Sequence, residues 1–430
     1  MSTSATFAQQ AAPHWQRVST LGCFLVPGIA LAVPSGYSWG ALLLLLASLI
    51  GARTWWSRPI APQERWLLAS IIAMGTVWLL DASVTDGVRS LDRAAKYFLA
   101  LPCWLYLLRW PPPVNVLWWG FACGGLGAGL VALYQRLVLG WERAAGFTNA
   151  IQFGGLAILL ALMCALVLAA CWQHITRTLR AALLVGLMMG VLASLLSLSR
   201  GSWLALLLSL PLWIFLLSRW RSARLAWVAC GLLCSAAVVL GSIKGPAVAE
   251  RWTELYRESA NYLSGAPGSA QTSNGHRLEH WRLALSMGSE RPLLGWGLKG
   301  YVEEKQRRVT AGLVDPVVLQ FGHAHNEWLD LWMKRGLLGL VALTFLYGVP
   351  LVLFWPRSRT LVGQAEQPPD AVVLALYLCG LALPVLYLGF GLTQVFFAHN
   401  SGNMSYLFLL ALCYSCLQGQ KALQATPEQP

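Results

Sequence analysis

Apolar residues recur along this chain in long runs, and short polar clusters between the runs hold most of its charge. The runs extend for roughly 15 to 25 residues, the length a helix needs to cross a hydrocarbon core about 30 Å thick. They predict twelve spans, at about 19 to 34, 38 to 52, 66 to 83, 94 to 109, 114 to 138, 151 to 172, 179 to 197, 202 to 218, 225 to 243, 327 to 354, 371 to 391 and 404 to 418. Pro27 and Pro34 interrupt the first two, so that pair also reads as one hairpin that does not fully cross. Strands of an outer-membrane barrel would alternate polar and apolar over about 10 residues, and the runs here do not alternate. The expected fold class is therefore an all-α polytopic membrane protein with about 12 transmembrane helices.

Only the polar segment 244–326, between the ninth and tenth spans, is long enough to fold outside the bilayer. Its helical periodicity puts Trp252, Leu255, Tyr256 and Ser259 on one face and Leu278, Trp281 and Leu285 on another. Between these patterns, SGAPGSAQTSNG (264–275) has the composition of a mobile loop. The segment thus reads as a long helical loop of two lid-like pieces on a flexible tether, turned back by RPLLGWGLKG (291–300). The expected domains are 1–243 with helices 1 to 9, 244–326 as the loop domain, and 327–430 with helices 10 to 12 and a C-terminal tail.

The chain is 57% hydrophobic and 11% charged with a formal net charge of +13, a balance that by itself also fits nucleic-acid binding. The basic residues sit in short clusters between spans, where they orient the protein instead. If twelve spans alternate, Arg17, Arg53, Arg58, Arg65, Arg109, Arg177, Arg180, Arg219, Arg221, Arg224, Arg357, Arg359 and Lys421 share one side. That side is read as the cytoplasm and holds both termini, and no nucleic-acid partner is expected. The opposite side receives 84–93, 139–150, 198–201, 244–326 and the link around His399. Trp55, Trp56, Trp118, Trp119, Trp203 and Trp220 fall near span ends and read as headgroup anchors. All ten cysteines lie in or at the ends of apolar runs, so no disulfide framework is expected, and Cys413 and Cys416 read as small packing residues.

Charge near the outward ends of spans needs a reason, because a charged side chain at the bilayer centre costs at least ~2.5 to 3.5 kcal/mol. Arg200 interrupts LLSLSRGSWLALLL with no long loop to escape into, and its fork suits bidentate phosphate binding; the plainer alternative is a turn arginine reaching the interface. Arg277 opens RLEHWRLAL on the face of Trp281, and would otherwise be a solvated helix-start residue. His325, just before the tenth span, can accept a proton from a hydroxyl at neutral pH, although a structural histidine is the commoner occupant of such a position. His323 and His325 are two residues apart and do not share a helix face, and no metal motif accompanies them, so no metal is expected. Asn326 suits a helix N-cap. Arg93 and Lys96, with Asp86, Arg89 and Asp92, crowd one outward loop, and Arg143 in WERAAGFTNA lies in another. Joined with Arg200 and Arg277, they would form a basic outward cavity for an anionic lipid-linked substrate, whereas surface ion pairs explain them singly.

In this order, SRGSWLA (199–205), RLEHWRLAL (277–285), RPLLGWG (291–297) and HAHNEWLDLWMKRGLLGL (323–340) resemble the O-antigen ligase and polymerase superfamily. The likeness covers roughly residues 140–355 in motif and the whole chain in layout. It implies a C-type-like, inverting, metal-independent glycosyltransferase without cofactor, working at the periplasmic face of the inner membrane. The implied donor is a glycan on undecaprenyl diphosphate, and for the ligases the implied acceptor is lipid A-core. The family's histidine falls on His325 as base and its two arginines on Arg200 and Arg277 as diphosphate ligands, with His323 in support. Ligase is the expected activity, because the chain is compact and only about a dozen polar residues follow the last span. O-antigen polymerase and protein O-oligosaccharyltransferase stand as alternatives. A transporter, from another class, would predict inverted repeats and broken helices near mid-membrane, and the sequence displays neither.

Overall fold

A computed structural model describes residues 3–85, 91–221, 245–357 and 370–425. The ninth expected span, with Arg224, and also Asp86, Arg89 and Arg359, lie outside the described residues. The helices are α1 (Thr3–Gly28), α2 (Gly36–Ile50), α3 (Ala52–Trp55), α4 (Pro62–Thr85), α5 (Leu91–Arg109), α6 (Val114–Leu133), α7 (Ala150–Cys171), α8 (Arg177–Leu196), α9 (Arg200–Trp220), α10 (Gly245–Leu263), α11 (Ser273–Glu290), α12 (Gly297–Thr310), α13 (Glu327–Leu353), α14 (Ala371–Gly391) and α15 (Asn400–Ala425). No strand occurs among the described residues. Six of these helices are long and apolar enough to cross a membrane, and α2 is a shorter apolar helix.

α7 and α14 are buried on almost every side, and their all-round apolar sequences are what a helix needs at the centre of such an assembly. α6, α8, α9, α13 and α15 pack around them, and α1, α2, α4 and α5 extend the same continuous core. α6 ends in a π-helical turn, Tyr134–Val138, where buried Gln135 gathers the following loop: it accepts from the N–H groups of Ala145 and Gly146 at 2.9 Å and donates to the Gly146 carbonyl at 2.8 Å. The eight described cysteines are all free. Trp55 and Trp118, expected as headgroup anchors, are instead core residues, and the Trp55 indole donates to the Ser48 carbonyl at 2.8 Å. Trp56 and Trp119 are exposed.

The long segment forms three helices, α10 to α12, with a small core of its own built from Leu283, Ala284, Met287, Tyr301, Val317 and Val318. This corrects the face read for α11: Leu285 is exposed, whereas Glu279, His280, Leu283 and Met287 turn inward. Tyr256 on α10 is exposed as well, and the side chains of Trp252 and Leu255 lie outside the described set. The expected flexible tether is an ordered turn. Asn274 donates to Glu258 at 2.8 Å, Gln271 to Asp315 at 3.0 Å, and Thr272 caps α11 by accepting from Gly275 N–H at 3.1 Å. Ala324 and Met333 join the same core, so it extends past the boundary expected at residue 326.

The tenth expected span is also not one helix. At Gly336 the backbone takes φ 56° and ψ −151°, which divides α13 into a short charged half, 327–335, and an apolar half, 337–353. The break is filled from the segment after α11: Pro292 and Leu293 carbonyls accept from the N–H groups of Leu337 and Leu338 at 2.7 and 3.2 Å, and Trp296 N–H donates to the Met333 carbonyl at 3.0 Å. Each half-helix end is thereby capped by the same turn. A Cβ at 336 would come within 2.5 Å of the Pro292 oxygen, in a backbone region that is essentially confined to glycine. Gly336→Ala is therefore expected to cost roughly 2 kcal/mol or more, read as a lowered thermal midpoint of the detergent-solubilised protein; an unchanged midpoint would contradict this geometry.

Candidate functional site

His325 lies between α12 and α13 at φ 52°, a left-handed backbone uncommon for a residue with a side chain. The loop that carries it, 321–326, is held by groups reaching in from its surroundings. Lys305 Nζ donates to the Phe321 carbonyl at 2.9 Å, Lys334 Nζ to Gly322 at 2.8 Å and the Trp281 indole to Ala324 at 3.0 Å. Asp330 accepts from Ala324 N–H at 3.0 Å. Asn326 caps α13, accepting from the N–H groups of Trp328 and Leu329 at 3.0 and 3.1 Å.

Four of the seven histidines, His276, His280, His323 and His325, gather around Phe321, and a fifth, His399, joins them through His323. The rings of His323 and His325 are 4.3 Å apart, His280 is 6.1 Å from His325, and His399 is 6.2 Å from His323. His276 and His280, one α11 turn apart, both face Phe321 at 6.1 Å. Among the described residues, no three His, Cys, Asp or Glu side chains converge as metal ligands. Burial pushes the His325 imidazole down to about 3, and the charges of His323, Arg277 and His280 act in the same sense. Burial likewise lowers His323 to about 4, and lowers His280 and His399. The sequence reading assigned His325 the basicity of a free imidazole; the structure gives a neutral ring of much weaker basicity, because the surrounding protein replaces the water that would solvate its cation.

The arginines approach from separate segments. Arg200 is the first residue of α9, after a tight turn in which Leu198 is left-handed at φ 54° and the Ser199 and Ser202 hydroxyls meet at 2.7 Å. Arg143, on the loop gathered by Gln135, donates through Nε to the Ser197 carbonyl of that turn at 3.0 Å. Desolvation lowers the guanidinium pKa of both Arg143 and Arg277, and in each case Arg200 is the neighbouring charge that adds to the effect. Arg277 in turn acts on His325. Arg143, Arg200, Arg277 and His325 thus form one electrostatically linked group.

Arg93 sits on the other flank, stacked over Trp78 at 5.2 Å and close enough to His399 to lower its pKa. Lys96 does not join the cluster; it is ion-paired with Asp92 one turn away on α5. His280 and Gln394 belong to the site but were not singled out in the sequence. The Gln394 carboxamide oxygen accepts from His325 Nδ1–H at 3.1 Å. Because that oxygen can only accept, Nδ1 carries the proton and Nε2 holds the lone pair.

Residues 185–344 match the family described as O-Antigen ligase. The match supports membership of the O-antigen ligase/polymerase superfamily. An uncharacterized protein of Haemophilus influenzae is 26% identical over 388 residues, covering 89% of this chain and 94% of the relative. The O-antigen ligase match runs from within α8 to within α13 and contains Arg200, Arg277, His280, His323 and His325, while Arg93, Arg143, Gln394 and His399 come from outside it. Six helices long and apolar enough to cross a membrane, together with the O-antigen ligase match over 185–344, support a membrane protein.

The histidine cluster has a consequence for pH. His323 and His325 have folded pKa values of about 4 and about 3, below the ordinary 6.5, so the unfolded chain binds more protons within that window. The stability contributed by these two neutral rings is fully present above pH 6.5 and is lost as pH drops toward 4 and below. His323→Gln is expected to flatten the dependence of the thermal midpoint on pH between these limits; an unaltered slope would show that His323 is not held neutral in the fold.

Proposed function

We propose that this protein is an O-antigen ligase, transferring a glycan from undecaprenyl diphosphate to a sugar hydroxyl of lipid A-core at the periplasmic face of the inner membrane. The observation that carries this reading is the convergence of Arg143, Arg200 and Arg277, from three separate segments, beside a neutral imidazole whose Nε2 lone pair is left for substrate. The superfamily match supports the class of reaction, and the guanidinium cluster supports a diphosphate ligand. Both termini are assigned to the cytoplasm on the distribution of basic residues. The lid domain 244–326, with the short half of α13 that shares its core, covers the site.

In this mechanism the acceptor oxygen attacks the anomeric carbon from the side opposite the diphosphate, so configuration inverts. The hydroxyl proton passes to His325 Nε2 as the sugar C–O bond to the diphosphate breaks, and undecaprenyl diphosphate departs. Arg200 and Arg277 neutralise charge building on its oxygens. No metal or cofactor is invoked, because the diphosphate is already a good leaving group and the guanidinium groups supply the counter-charge. Arg277 lowers the basicity of His325, so a bound diphosphate would offset that charge and strengthen the base. His323 supports His325 through ring contact, Asn326 fixes the start of α13, and Arg93 borders the cluster.

The break at Gly336 does not favour transport, since the half-helix N–H groups that would face a transported ion are occupied by Pro292 and Leu293 carbonyls. With purified protein and lipid-linked donor, His325→Ala is expected to slow transfer on the order of 10²-fold or more, and Arg277→Ala to slow it while raising the donor KM. Full activity in both variants would refute the assignment. Deleting the gene should remove all polymer from lipopolysaccharide and leave it on the lipid carrier. Core bearing a single repeat unit would point to a polymerase, and intact lipopolysaccharide with unglycosylated protein to a protein O-oligosaccharyltransferase.

A further inference from the structure

The link between α14 and α15 does more than return the chain. Three consecutive residues in it touch both halves of the site. The Leu392 carbonyl accepts from Asn326 Nδ2 at 3.4 Å, beside the histidine loop. Thr393 lies against α9: a Cβ at Gly201 would fall 2.0 Å from its hydroxyl oxygen, so only glycine lets the helix that begins at Arg200 rest on this link. Gln394 then reaches His325. One short strut holds the arginine-bearing helix and the histidine loop at a fixed separation.

Gln394 is 3% exposed and its oxygen is aimed at the imidazole. Burying a carboxamide is unfavourable unless it is hydrogen-bonded, and a ring on a left-handed backbone needs an outside contact to fix its rotation. We propose that Gln394 is the positioning residue of the His325 base: it selects the Nδ1–H tautomer and turns Nε2 toward the acceptor hydroxyl while supplying no charge. This inference rests on the reading of His325 as base.

The use of an amide matters because of what else faces the ring. His323 comes from the same loop, His280 and Arg277 come from α11, and Arg200 on α9 stands behind Arg277. None of these is an anion; of the carboxylates on the adjoining turn of α13, Asp330 is engaged with Lys334 and acts on His323, and Glu327 accepts from the Phe397 N–H. A carboxylate at 394 would hold the imidazolium after proton transfer; the amide lets the proton go.

The experiment measures transfer kinetics against pH for the full-length protein in detergent or liposomes, with polyprenyl-diphosphate-linked glycan as donor. Gln394→Ala should lower kcat about ten- to a hundred-fold with donor KM within about two-fold, because the donor is held by the arginines. Gln394→Glu keeps the shape of the side chain and carries the test even if the alanine variant fails to fold. It should restore much of kcat near pH 8 and move the acid limb of the rate profile upward by about one pH unit or more, as a carboxylate beside the ring favours its charged form. His325→Ala serves as the reference. If it is inactive while both Gln394 variants keep the wild-type kcat and pH profile, the positioning role is refuted and the assigned base survives. If His325→Ala itself remains active, the assignment of the base fails, and the role of Gln394 with it.

Discussion

The ion pair between Asp330 and Lys334 is the constraint from which the site is built. Both groups are buried in the short half of α13, 2.7 Å apart. Withdrawing two charges from water is costly, and such a pair is tolerated when further hydrogen bonds complete it. Here the completing bonds go to the backbone on either side of His323: Asp330 takes the Ala324 N–H, and Lys334 donates to the Gly322 carbonyl. Lys305 adds a third hold at Phe321, and both ammonium groups lie over the Tyr301 ring, at 4.8 and 4.7 Å. Left-handed backbone at His325 persists because its surroundings over-determine it.

Desolvation governs chemistry and stability alike. The packing that keeps the imidazoles uncharged also concentrates the field of the arginines, so the site is electropositive with weak bases inside it. A diphosphate entering such a site gains more from each guanidinium than it would in water. Burial elsewhere is stabilised in the same manner: the Asp81 carboxylate accepts from Leu298 N–H at the start of α12 at 2.9 Å, pairs with Arg335, and leaves that guanidinium over Trp78 at 4.2 Å.

Part of this architecture was legible in the sequence because bilayer thickness imposes a length on apolar runs: eleven of the twelve expected spans overlap described helices, although the first runs past the end of α1 and the tenth is broken at Gly336, and six of the helices are long and apolar enough to cross a membrane. Arg200, Arg277 and His325 stand out in the sequence as polar residues beside apolar runs, and the fold brings them into one linked group. What escaped notice followed from long-range geometry. Gln394 is 69 residues from His325 in sequence and sits in a mostly apolar link, LTQVFFAH (392–399), that carries no motif. Gly336 looked like one more small residue in a helix, since positive φ leaves no mark on composition. In α11 the face of Leu278, Trp281 and Leu285 is not the buried one, because the inward face carries Glu279 and His280 beside Leu283 and Met287. Lys96 had the right charge in the right loop, but Asp92 already engaged it.

The turn that fills the break in α13 ties the lid to the membrane domain through the main chain. Pro292, Leu293 and Trp296 are bonded into both halves of that helix, and Leu293 and Leu294 are left 68% and 69% exposed beside an apolar surface that includes Leu337 and Val341. The lid is therefore fastened along this edge like a cover along its spine. A movement hinged on this edge would displace α11 and with it Arg277, which begins the helix's second turn. Access to the site and separation of its arginines would then be a single movement.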